Sequence, residues 1–106
     1  MQDELKVLSI IAPDLLADIG RRAQVLSGIE SMQPVGRRAL AARLNLPERE
    51  VRAAAAMLKD QGLITMDAAG MQLTERAVEV LPGARELSRA MAGLSRLEQT
   101  LSRLLN

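Results

Sequence analysis

Four arginines frame the chemistry open to this chain: Arg37 and Arg38 follow Gly36, and Arg49 and Arg52 follow Pro47 and Glu48. A guanidinium offers a planar fork of donors that fits phosphate oxygens and the O6 and N7 edge of guanine, and it stays charged at any physiological pH. The residues between them explain why these arginines remain outside. Leu40, Leu44, Val51, Ala55 and Leu58 recur at helical spacing on two segments separated by Asn45-Leu46-Pro47, so the segments pack on each other and leave the arginines no core to enter. Two helices joined by a tight turn over Val35 to Gly62 have the spacing of a helix-turn-helix.

On the second helix, Arg49, Arg52, Ala53 and Ala56 share one face, opposite Val51, Ala54, Ala55 and Leu58. The first turns of such a helix enter the major groove, which makes Glu48, Arg49, Arg52 and Ala53 the candidates for base-edge contact, with Pro47 setting the start of the helix beside them. Arg49 and Arg52 can each fork onto guanine, Glu48 can accept from a cytosine amino group, and Ala53 is short enough to seat the helix against a thymine methyl. Gly36, Arg37 and Arg38 open the preceding helix, where backbone N–H groups attract phosphate. Two arginines there oppose the helix dipole, a cost that a bound phosphate offsets. Arg21 and Arg22 are weaker candidates, one of them better explained by a surface salt bridge.

Composition narrows the function classes. The 106 residues suffice for one module, and they include no His, Cys, Phe, Trp or Tyr. That removes the usual metal ligands, thiol nucleophiles, imidazole bases and base-stacking rings, and no tight Asp/Glu cluster replaces them. We expect no enzyme activity and no metal or cofactor in this chain. The net charge of +1 conceals a polarity: residues 1–20 hold one Lys against four acids, while residues 34–62 hold six cations against three acids. Twelve of the fourteen cations are Arg; a GC-rich genome would also favour arginine codons, so their positions carry the weight. Without cysteine, and without an apolar run near the ~18 residues of a membrane span, the chain reads as cytoplasmic with no membrane partner.

The elements that must position the arginines follow from punctuation and periodicity. Residues 3–11 are a short apolar-rich segment. Pro13-Asp14 starts a helix to about Met32, whose stripe Leu15, Ile19, Ala23, Leu26 and Ile29 is expected in the core. Gln33-Pro34-Val35-Gly36 interrupts it. Helices over about Arg37–Leu44 and from Pro47 to Gly62 follow. Leu63-Ile64-Thr65-Met66 and Met71-Gln72-Leu73-Thr74 flank Asp67-Ala68-Ala69-Gly70 and read as a β-hairpin, a wing whose tip bears an acid and no cation. A last helix begins at Thr74-Glu75 and is expected to break near Pro82-Gly83. Beyond it Leu87, Met91, Leu94, Leu97, Leu101 and Leu104 recur at three and four residues, a seam expected to serve a second copy or a following domain. The fold class is mostly α: a winged helix-turn-helix with a small β-hairpin wing and flanking N- and C-terminal helices. Residues 1–82 form the winged-helix domain, and residues 83–106 a linker and dimerisation helix.

An ordered series of motifs resembles the SorC-type bacterial transcriptional regulators. It runs through Pro13-Asp14-Leu15-Leu16, Arg22 with Leu26 and Ile29, Pro34-Val35-Gly36-Arg37-Arg38-Ala39-Leu40 with Leu44, Glu48-Arg49 and Arg52, and Leu58-Lys59 before Gln61 and Leu63. It continues with Gly70-Met71, Leu73-Thr74-Glu75 and Gly93-Leu94 with Leu97-Glu98 and Leu101. The sequence departs from the pattern at Pro47, where a polar helix cap is expected, and in the alanines of the third helix of the series. The resemblance implies a repressor's DNA-reading domain that binds double-stranded operator DNA as a dimer. In family members a larger domain follows and binds a phosphorylated sugar, and members near this sequence control glycolytic operons and respond to fructose 1,6-bisphosphate. Two other classes compete. A winged helix used for protein–protein contact would suit the near-neutral charge, the acidic wing tip and the leucine seam; an all-helical dimer holding a dicarboxylate would need arginines facing a shared interior, whereas these fall opposite the apolar stripes.

Overall fold

The computed structural model describes residues 2–105, with the side chains of residues 2, 95, 97–102 and 105 outside the description. The order of elements is α1 (Gln2–Ile11), α2 (Pro13–Met32), α3 (Arg37–Leu44), α4 (Glu48–Asp60), β1 (Ile64–Asp67), β2 (Gly70–Leu73) and α5 (Glu75–Leu105). The apolar-rich start is thus a helix of its own. Ala12 alone separates it from α2, which opens with Pro13 at a position whose missing N–H has no helical partner to lose.

Helix α2 is the axle of the molecule, packed against α1, α3, α4, β2 and α5. Its C-terminal half is enclosed on several sides, so Val25, Leu26, Gly28 and Ile29 are all buried. Its N-terminal half is less enclosed: Leu16 is buried against α1 and α5, while Leu15 and Ile19, expected in the core, are exposed at 59% and 41%. The expected stripe holds for Ala23, Leu26 and Ile29 and fails where no element lies over it.

The main core gathers Val25 and Ile29 of α2, Leu40 of α3, Val51, Ala55 and Leu58 of α4, Ile64 and Met71 of the hairpin, and Ala77 and Leu81 of α5. Strands β1 and β2 pair antiparallel from Ile64 opposite Leu73 to Asp67 opposite Gly70. A third stretch joins this sheet. Val35 bridges Met71 with two backbone hydrogen bonds of 3.2 and 2.7 Å, and the Leu73 N–H donates to Gln33 Oε1 at 2.9 Å. The wing is thereby fastened to the entry of α3.

Helix α5 does not break at Pro82-Gly83; it runs unbroken for 31 residues through Pro82 and across the expected division at residues 82 and 83. Pro82 is exposed, and so is Val78, the residue four earlier whose carbonyl loses its helical donor, so water can satisfy that carbonyl. Leu81, next to the proline, stays in the core. The seam beyond is also partly occupied from within. Leu94 is buried with Leu5 and Leu16 in a second, smaller core, and Leu87, Ala90 and Met91 pack against it. Leu87, Met91 and Leu94 therefore meet α1 and α2 of their own chain, because α1 and the first turns of α2 supply apolar partners. Leu104 is exposed, whereas the side chains of Leu97 and Leu101 lie outside the described residues.

Candidate nucleic-acid interface

The turn between α3 and α4 is built from three residues with separate tasks. Asn45 takes the left-handed conformation, φ 56° and ψ 49°, and closes α3 by donating its N–H to the last carbonyls of the helix. Asn tolerates this region better than most residues because its short side chain costs little there. Leu46 turns its side chain toward the core and donates its N–H to the Ala41 carbonyl at 2.9 Å. Pro47 caps α4 with no side-chain hydrogen bond; its carbonyl receives the N–H groups of Glu50 and Val51. Where the resemblance led us to expect a polar cap, the backbone and the acids Glu48 and Glu50 serve the positive end of the helix.

Helix α4 divides as its sequence predicts. Val51, Ala54, Ala55 and Leu58 are buried, and Arg49, Arg52, Ala53 and Ala56 are exposed. Arg49, Arg52 and Ala53 thus stand together on the outward face, Arg49 next to Glu48 and the other two about one turn further along. Gly36 is the N-cap of α3, and Arg37 and Arg38 project into solvent from its first turn, with 92% of the Arg38 side chain accessible. A groove separates Arg37 from the wing residues Asp67 to Gly70. At the wing tip the Asp67 carboxylate accepts from the Ala69 N–H at 2.8 Å, so the acid folds back on its own turn.

Ion pairs connect these pieces. Glu48 Oε1 lies 3.1 Å from Arg52 Nη2 within α4, and Glu48 Oε2 lies 3.7 Å from Arg38 Nε across the turn. Arg21 of α2 reaches Glu50 at 3.2 Å and also donates to Gln24, which makes it the salt-bridged member of the Arg21-Arg22 pair. Arg22 lines a cleft between α2 and α4 that also reaches Ala53. Among the described residues Arg37 and Arg49 make no ion pair, and no group of acids is placed to hold a metal ion. The Glu48–Arg52 contact was legible as an i, i+4 pair. The Arg38–Glu48 contact joins residues ten apart, and nothing in local periodicity announces it.

Two helices in this order, an outward cationic face on the second and a two-stranded hairpin behind it, bridged to Val35, describe a winged helix-turn-helix. The family model "CggR N-terminal DNA binding domain" matches residues 18–91, from the first turns of α2 to the middle of α5. This chain belongs to that family. It is a DNA-binding domain, and the matched span takes in the helix pair, the wing and the first half of α5. The central glycolytic genes regulator of Bacillus subtilis is 38% identical over 96 residues, covering 91% of this chain and 28% of that protein. The regulator of the same name from Priestia megaterium is 39% identical over 101 residues, covering 95% of this chain and 30% of that protein. The chain spans less than a third of the length of these curated relatives. Both are by name regulators of central glycolytic genes.

Proposed function

We propose that this DNA-binding domain reads the operator of a bacterial glycolytic repressor of the SorC type, with Arg49, Arg52 and Ala53 facing base edges and Gly36, Arg37 and Arg38 holding phosphate. Pro47 and Glu48 complete the contact surface at the start of α4. The observation that carries the reading is the division of α4 into a buried apolar face and an outward face of two arginines among short alanines. Such a face can enter a groove and still fork donors onto bases.

The likeness to the glycolytic regulators supports the choice of target genes, and a phosphorylated sugar would act on the part of those proteins that this chain does not span. The setting is the bacterial cytoplasm; no helix among the described residues is long and apolar enough to cross a membrane. Dimerisation on DNA falls to the distal part of α5. Among the described residues Leu94 is the last one buried against α1 and α2 and Leu104 is exposed, and the sequence spacing of Leu97, Leu101 and Leu104 is what would serve a second copy.

The test is binding to a duplex that the protein selects from a random pool, measured over a salt series and in an ultracentrifuge. The expected result is preference for the selected sequence, log affinity falling linearly with log salt, and two chains per duplex. Binding a protein partner with no salt-sensitive DNA association would instead favour the protein-contact reading, to which the exposed Ile10 and Ile11 of α1 lend an apolar surface.

A further inference from the structure

Glu48 is the only carboxylate among the described residues placed between two of the outward arginines, and it is the most covered member of the trio. Its side chain is 37% accessible, against 58% for Arg52 and 92% for Arg38. The carboxylate is therefore the fixed point, and the two arginines come to it from different helices. A negative charge in that position works against phosphate binding, so its presence on a DNA-binding face calls for a physical reason.

We propose that Glu48 is a positioning residue that suppresses binding to arbitrary DNA while leaving Arg52 competent to read a base. The proposal rests on the reading that Arg52 faces base edges. Arbitrary DNA offers chiefly phosphate charge, and Arg38 and Arg52 can give themselves fully to phosphate only by turning away from Glu48. A base contact makes no such demand. Arg52 uses Nη2 on the carboxylate, and the other donors of its planar guanidinium remain available for guanine O6 and N7. One arginine can then keep Glu48 on one edge and a base on the other, with the carboxylate limiting the directions in which the fork points. The penalty falls on the phosphate-only mode and spares the base-reading mode. Exposed ion pairs are individually weak, which keeps the competitor displaceable.

The experiment compares the intact chain with Glu48→Gln and Glu48→Asp on two probes, a duplex selected from a random pool and a shuffled duplex of the same composition. Thermal unfolding of each variant verifies the fold, and Arg52→Ala verifies base reading independently. Glu48→Gln should tighten binding to the shuffled duplex by about three- to tenfold at low salt and steepen its log–log salt slope by about one unit, the equivalent of one released phosphate contact. The ratio of selected to shuffled affinity should fall by threefold or more. Glu48→Asp, which keeps the charge, should return the shuffled-duplex affinity toward that of the parent. A smaller fall in the ratio, as when both probes gain equally, overturns the proposal in favour of a general charge effect. A fall caused only by weaker binding to the selected duplex also overturns it, since Glu48 would then be reading a base itself. If the parent chain does not discriminate between the probes, or Arg52→Ala weakens both alike, the base-reading premise fails and the role of Glu48 falls with it.

Discussion

On the proposed reading, Ala53 and Ala56 contribute to recognition by what they lack. Both are exposed on α4, Ala53 beside the open cleft that Arg22 also lines, so a longer side chain there alters stability by only a few tenths of a kcal/mol. The same side chain would hold the helix off the floor of a groove. Ala53→Leu should therefore unfold at nearly the parent temperature in a calorimetric scan yet lose affinity for a selected duplex in a titration. The arginines divide differently. Arg52→Ala should cost about 1–3 kcal/mol on a selected duplex and blur preference at one base pair, whereas Arg37→Ala should weaken all duplexes alike and flatten the salt slope by about one unit. Equal losses on selected and shuffled DNA for Arg52→Ala would remove it from the base-reading set. At this scale the sequence displayed the faces of α4 fully, since a period of 3.6 residues sorts Val51 from Arg52 without further information. What it withheld was the partner of Arg38, because that contact depends on how the Asn45 turn sets α3 against α4.

The turn and the wing show which element boundaries local chemistry dictates. Asn45 at φ 56° and Gly70 at φ 121° occupy conformations that most side chains resist, and both stood at the predicted turns. Asn45→Gly should retain or slightly raise stability, and Asn45→Val should lose about 1–2 kcal/mol in denaturant unfolding, since a β-branched side chain is poorly tolerated there. Gly70 faces a second constraint: an added Cβ would lie 2.8 Å from the backbone of Val35. Gly70→Ala should cost about 1–3 kcal/mol and loosen the wing, seen as faster amide exchange at Met71, whose N–H donates to the Val35 carbonyl. Residues 13–73 were legible because caps, prolines and glycines punctuate them. The participation of Val35 in the sheet was not, as a single bridge leaves no period to read. Pro82 misled for the converse reason: a proline signals a helix end only where its neighbours do not hold the helix in place, and Ala77 and Leu81 in the core, with Arg85 paired to Glu30, hold both sides.

The molecule as a whole is two cores of unequal size strung along α2 and α5. The larger holds the helix pair and the wing; the smaller consists of Leu5, Leu16 and Leu94 with their half-buried neighbours. Helix α1 is anchored by the smaller core alone, while Ile10 and Ile11 face outward at 73% and 74% exposure. In native-state hydrogen exchange the amides of α1 should open with a lower free energy than those of α4, and Leu5→Ala should release α1 while leaving the thermal transition of the helix pair largely in place. Loss of the whole transition with Leu5→Ala would show that the cores melt as one. The seam from Leu87 to Leu94 looked unpartnered in the sequence because the apolar residues of α1 and α2 that meet it lie far away along the chain. The absence of a break at Pro82 also has a geometric consequence. A continuous helix of 31 residues is about 46 Å long, close to the 49 Å long axis of the molecule, and it advances by about 100° and 1.5 Å with each residue. Whatever is joined to its far end is thereby clocked against α4, as a hand is clocked to its gear. Inserting two residues after Gly93 would swing the far end by about 200°, whereas inserting seven would bring it back to within about 20° of its starting bearing, merely further from the DNA.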